Sequence, residues 1–171
     1  MTDLTRSSPY PSARWMCWLV LVAGLCLMGA AQARSIEAKP MPYELPSWFK
    51  SSFLDIPQDA RDAGQAGKQL MIFFHLEDCP FCANLLKDNF TSGPNKAALQ
   101  KRFDVIAINV RGDLPVQWLD GQSLTEKELA KKLNVFATPL VMVISPQGKV
   151  TKTIQGYKAP EAFFKALGLG Q

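Results

Sequence analysis

Three short apolar runs constrain this chain more than any other feature. They are residues 69–76 (QLMIFFHL), 105–110 (VIAINV) and 140–144 (LVMVI). Each is too short for a typical helix, rich in branched or aromatic side chains, and nearly free of polar interruption. Such runs read as strands buried on both faces of a sheet. Amphipathic stretches lie between them. Asp55-Ile56-Pro57 resembles a helix start, with proline near the first helical position, and Gly67 ends that helix. Residues 80–90 and 95–103 read as two further helices. Residues 124–133 (LTEKELAKKL) read as a third, with Ser123 or Thr125 as cap and a Glu128–Lys132 pair along its exposed side. Residues 111–121 read as a loop. Pro146-Gln147-Gly148 is a turn signal, residues 150–154 alternate like an antiparallel edge strand, and residues 159–167 close the chain as a helix. Strand–helix–strand units followed by a hairpin and a helix give an α/β fold, a mixed central sheet flanked by helices.

The N-terminus reads as a targeting segment. Arg6 and Arg14 precede an uncharged apolar run, residues 15–31, that closes on Ala31-Gln32-Ala33. A small-x-small end fits cleavage after Ala33. Residues 1–33 are therefore expected to be a cleaved signal peptide, the alternative being an uncleaved membrane anchor. Residues 34–47 carry Pro40, Pro42 and Pro46 and read as a proline-rich leader, with the folded domain over 48–171. Beyond residue 33 the net charge is +3, with both signs interleaved. That pattern excludes the basic stripe of a nucleic-acid binder, so no nucleic acid is expected as a partner.

Export makes the cysteines informative. Cys17 and Cys26 leave with the signal, and Cys79 and Cys82 remain. A bridge between them closes a very short loop and stabilises a fold little. The pair Cys79-Pro80-Phe81-Cys82 stands where an apolar strand meets a helix. A cysteine at a helix start faces unpaired backbone N–H groups, which favour its thiolate. Pro80 suits the first turn, because its missing N–H is not needed there. Cys82 returns to the same side one turn deeper, so the outer sulfur is expected to be exposed and the inner one buried. Such a pair exchanges disulfides: Cys79 attacks, and Cys82 resolves the mixed disulfide. The same residues also admit an inert structural bridge or half of a zinc site. A zinc site lacks further ligands, since His75 is the only histidine, so no metal is expected.

Thr138-Pro139 stands directly before the third apolar run. Proline at a buried strand's entrance needs a reason, and a cis peptide is one; a trans proline that starts a strand is another. A cis bond would expose the Thr138 backbone to an extended substrate. His75, four residues before Cys79, is either an accessory to thiol chemistry or a packed rim residue. Phe81 either shapes the substrate face or is simply exposed. Trp118 either meets a partner or covers the core.

Taken together, these residues resemble the thioredoxin superfamily. The features that carry the resemblance are MIFFHL, the Cys79–Cys82 motif, VIAINV, Thr138-Pro139 before LVMVI, and Gly156 after the edge strand. It implies a thioredoxin fold with helices on both faces of the sheet, and a cis Pro139 beside the cysteines. The stretches FFHLEDCPFC, INVRGD, DGQSLTEKELAKKLNVFATP and SPQGKV are similar to exported thioredoxin-like proteins of sulfur-oxidation gene clusters, the SoxW type. That resemblance implies a periplasmic reductant of partner disulfides. Departures are visible. Pro80-Phe81 is closer to the glutaredoxin Cys-Pro-Tyr-Cys pattern. Asp78 replaces the tryptophan that thioredoxins place before the first cysteine, and Phe73 replaces their buried acid, so Cys82 must lose its proton by another route. Glu77 and Asp78 also set negative charge near Cys79, opposing its thiolate.

The expected function is thiol–disulfide oxidoreduction on disulfide-bearing proteins. The rivals are an oxidase or isomerase of the same fold, and a binding module with an inert bridge. The sequence shows no nicotinamide or flavin motif, so no cofactor is expected. Electrons would come from an upstream dithiol donor, which a membrane protein can supply. A monomer is expected.

Overall fold

The computed structural model describes residues 43–170, so the expected signal peptide and most of the leader lie outside the described residues. The chain first lays down a strap, residues 43–54. Helix α1 (Ile56–Gln65) follows, started by Asp55, whose carboxylate accepts the Gln58 N–H at 2.9 Å. Gly67, at φ +70°, makes the turn into β1 (Gln69–His75). Helix α2 (Pro80–Leu85) runs directly into a π-helical turn, Leu86–Thr91. Then come α3 (Lys96–Arg102), β2 (Phe103–Asn109), β3 (Pro115–Gln117), β4 (Ser123–Thr125), α4 (Glu126–Lys132), β5 (Leu140–Ile144), β6 (Val150–Gln155) and α5 (Pro160–Ala166).

The main sheet has the order β2-β1-β5-β6. β1 pairs parallel with β2, Ile72 opposite Ile106, and antiparallel with β5, Ile72 opposite Met142. β5 pairs antiparallel with β6. Alternation along the strands divides the core in two. Leu70, Ile72, Phe74, Ile106, Ile108, Leu140, Met142 and Ile144 face α1 and α4. Met71, Phe73, Val105, Val141 and Val143 face α2, Leu99 of α3 and Phe163 of α5. Helices therefore cover both faces of a mixed sheet, the α/β arrangement expected.

Several local expectations need correction. The loop after β2 contains a two-stranded ribbon, β3 against β4, with Val116 opposite Leu124. Because Ser123–Thr125 pairs as a strand, α4 starts at Glu126, two residues later than expected. Thr125 caps it through a reciprocal capping box with Glu128. Lys132 consequently pairs with Asp120 across the ribbon, and not with Glu128. Trp118 is buried and covers the α1/α4 side of the core, which removes it as a partner contact. The helix expected over 80–90 widens into the π turn at Leu86, where the Asn89 amide takes up the Leu85 carbonyl (3.3 Å) and that of Lys158 (3.2 Å). β2 starts at Phe103, two residues early, because it pairs with the full length of β1.

Candidate active site

β1 delivers the chain to the C-terminal edge of the sheet, and a short bend carries it into α2. In that bend the Cys79 N–H donates to the Leu76 carbonyl at 3.3 Å. Cys79 is extended (φ −94°, ψ 104°) and occupies the N-cap of α2, with Pro80 in the first turn. Its sulfur does what a capping oxygen does elsewhere: Sγ accepts the Cys82 N–H at 3.1 Å. Cys79 and Cys82 are disulfide-bonded, with Cα atoms 5.2 Å apart.

A second segment meets the pair from across the sheet. The Thr138–Pro139 peptide is cis, and Pro139 is buried at the entrance to β5. The Thr138 hydroxyl donates to Cys79 Sγ at 3.3 Å. Thr138 and Cys79 are 59 positions apart in sequence, so this contact exists only through the β1–β5 pairing. It also corrects an expectation. Cys79 is not an exposed sulfur; it is 7% exposed, and Cys82 is fully buried. The difference in depth between the two cysteines has the expected sense, but the loop ahead of β5 covers the outer one.

Two aromatic side chains stand exposed in the segments that carry this nearly closed pair. Phe81, between the cysteines, is 61% exposed, and Phe136, two residues before Thr138, is 86% exposed. Nothing in the sequence distinguishes Phe136, because an isolated aromatic in a loop carries no periodic signal. Asp78 and Glu77 are exposed in the bend.

His75 ends β1 on the same face as Met71 and Phe73. It is buried, and its ring lies parallel to that of Phe73 (7°, centroids 5.6 Å apart). The Tyr43 hydroxyl is 2.9 Å from His75 Nδ1 and 2.5 Å from the Leu76 carbonyl. Tyr43 belongs to the stretch read from sequence as leader. Burial lowers the His75 pKa from its ordinary 6.5, against smaller opposing effects of Glu77 and the Leu76 backbone. Burial, with help from Glu77 and Asp78, pushes the Tyr43 phenol well above its usual range. Among the described residues, no group of three or more His, Cys, Asp or Glu is placed to hold a metal ion.

The model of a thioredoxin-like domain family matches residues 56–171. Solved structures are similar at the level of the fold. A thioredoxin-fold protein from Helicobacter pylori is 20% identical with a TM-score of 0.52, covering 71% of this chain and 78% of that one. A thioredoxin from Thermus thermophilus is 23% identical with a TM-score of 0.49, covering 67% and 82%. A disulphide isomerase from Xylella fastidiosa is 23% identical with a TM-score of 0.44, covering 64% and 79%. No curated protein is similar enough in sequence to match.

Proposed function

The chain belongs to the thioredoxin-like domain family, and from that premise we propose that it is an exported thiol–disulfide oxidoreductase that reduces the disulfides of partner proteins. Residues 1–33 are the signal removed on export, and the working compartment is the periplasm. The similarity to the SoxW type supports both this direction of electron flow and the compartment. One observation carries the chemistry: a cysteine pair at the mouth of α2, with two donors already aimed at Cys79 Sγ, the N–H of Cys82 and the hydroxyl of Thr138.

In the reduced protein those donors hold a thiolate at Cys79. The thiolate attacks one sulfur of a partner disulfide, forms a mixed disulfide, and expels the partner's other sulfur as a thiolate. Cys82, held one helical turn away, then attacks Cys79 Sγ. The second partner sulfur leaves, and the Cys79–Cys82 bond is restored. Pro80 starts the helix that holds the two sulfurs in register. The partner's backbone lies along Thr138, which cis Pro139 turns toward the dithiol, and Phe81 and Phe136 receive its apolar side chains. An upstream dithiol protein returns the pair to the reduced state.

The test is trapping. Cys82→Ala protein should accumulate mixed disulfides with its partners, and Cys79→Ser protein should accumulate none. The midpoint potential of the Cys79–Cys82 couple against glutathione then sets the direction. Proteins of this kind span about 150 mV, and a value at the oxidising end would reverse the assignment to a disulfide oxidase. Absence of any reversible two-electron couple would leave only an inert bridge.

A further inference from the structure

The bend before Cys79 is closed by a hydrogen bond from the Cys79 N–H to the Leu76 carbonyl, three positions back. A bond of that span makes Glu77 and Asp78 the two central residues of a turn whose ends lie within about 7 Å of each other. Both side chains are exposed. Neither forms an ion pair among the described residues, where Lys50, Lys68, Lys127 and Lys132 are paired with other acids. Their charge still reaches inward: Glu77 and Asp78 both help to raise the Tyr43 phenol, and Glu77 opposes the fall of the His75 pKa.

The other segments that meet at the cysteines carry no charge. Residues 79–86, which start α2, and residues 133–139, ahead of β5, hold no charged side chain. Thr138 of the second segment touches Cys79 Sγ at 3.3 Å, and Phe81 and Phe136 are exposed. Two neighbouring segments follow. Val110 bonds the His75 carbonyl and is followed by Arg111; Gly156 bonds the Pro139 carbonyl and is followed by Tyr157 and Lys158. Neither cation is paired with Glu77 or Asp78. In a chain that is net basic beyond residue 33, the cysteine pair is thus approached past two unpaired carboxylates and two exposed aromatic rings.

We propose that Glu77 and Asp78 determine the specificity of the dithiol: the disulfides it reduces carry a lysine or arginine beside the attacked cysteine, and acid-flanked disulfides are turned away. The inference rests on the proposed oxidoreductase function. Two effects act in the same direction. A cation on the partner meets carboxylates that have no cation of their own, which favours encounter and docking, whereas an acidic flank sets like charges together. In the free protein the same carboxylates oppose the Cys79 thiolate. A seated cation cancels that opposition, so the nucleophile is activated when the matching partner is bound. The thiolate then attacks the basic-flanked sulfur, the bond from Cys79 to the partner forms, the partner's own S–S bond breaks, and its other sulfur leaves as a thiolate. Cys82 resolves the mixed disulfide as above, and both electrons come from the dithiol.

Three peptides test this, identical except for arginine, glutamine or glutamate on both sides of one cysteine, which is held as a mixed disulfide with thiopyridine, an uncharged chromogenic leaving group. Attack of Cys79 on the peptide sulfur releases thiopyridine, read by its absorbance. Rates with dithiothreitol, which has no carboxylate, normalise each peptide's own reactivity. At about 0.01 M salt, where the Debye length is about 30 Å, the normalised arginine-to-glutamate ratio should be about tenfold or more, with glutamine between. At about 1 M salt, where that length is about 3 Å, the ratio should fall to about twofold. Protein carrying both Glu77→Gln and Asp78→Asn should show the low ratio already at low salt. A ratio near one in the unsubstituted protein, or one that salt leaves unchanged, overturns the proposal without any variant having to fold. An undiminished ratio in the double variant overturns it as well. Failure of the reduced protein to release thiopyridine even from the glutamine peptide refutes the oxidoreductase reading itself.

Discussion

Replacing Gly112 with alanine tests how the segment between β2 and α4 is held against the core. A β-carbon there would lie 1.8 Å from Glu126 Oε2 and 2.6 Å from its Cδ. No methyl group fits at that range, so the carboxylate must swing away. Glu126 is 4% exposed, and its oxygens accept the Asn109 N–H at 2.9 Å and the Leu114 N–H at 3.4 Å. The Leu114 bond is long and lies at an exposed residue, so water replaces it at little cost. The Asn109 bond is charge-assisted and half-buried, and its loss costs about 1.5–3 kcal/mol. Residual crowding adds about 1 kcal/mol. Gly112→Ala should therefore lose about 2.5–4 kcal/mol. Glu126→Ala loses the same hydrogen bonds and leaves the methyl only one tight neighbour, the Asn109 carbonyl at 3.1 Å. The double variant should then lie within about 1 kcal/mol of Glu126→Ala alone, a coupling of about 2 kcal/mol between neighbours. Urea midpoints of both single variants and the double variant, at unchanged m, measure it. Gly121→Ala is the control: its β-carbon meets nothing within 4 Å, and its φ of +82° makes the cost purely one of backbone, about 1–2 kcal/mol, without coupling to Glu126. Additive effects of Gly112→Ala and Glu126→Ala, to within about 0.5 kcal/mol, would refute the reasoning.

Phe90→Ala should be among the most damaging single changes. The ring is fully buried, stacks on Trp48, and meets Phe49, Phe73 and Phe163, so about 3–5 kcal/mol should be lost in chemical unfolding. A loss below about 1 kcal/mol would mean that the strap does not close this side of the core. Stability should also depend on pH through His75, the chain's only histidine. Burial lowers its folded-state pKa below 6.5, so the unfolded chain takes up the proton first as pH falls. This contribution is fully present above pH 6.5 and is lost as pH falls toward the folded-state value, so the urea midpoint should drop on acidification from about pH 8 to about pH 5, a window above the carboxylate titrations. His75→Asn should flatten that slope; an equal slope in the variant would assign it elsewhere.

What was legible in the sequence follows from how far away each determinant lies. β1 was readable because all of Leu70–Phe74 is buried, whichever neighbour is present, and a run with no polar interruption reports that directly. The place of the cysteines was readable because the end of a strand, a proline in the first turn and a capping sulfur are all local. β3 was not, since it has three residues of which only Val116 is buried, and its existence depends on β4. The π turn depends on the Asn89 amide reaching Lys158, 69 positions away, and the covering of Cys79 depends on Thr138. Tyr43 illustrates the point most clearly. Composition assigned it to a proline-rich leader, yet its hydroxyl spans 32 positions to His75 and ties the strap to the bend before Cys79. The two cysteines stand three positions apart in sequence, whereas the residues that cover the outer sulfur and fix the bend before it come from the strap and the loop before β5. Chain pairing alone brings these three segments together. A sequence pattern can therefore locate the cysteine pair, while what covers and braces it is a property of the assembled fold.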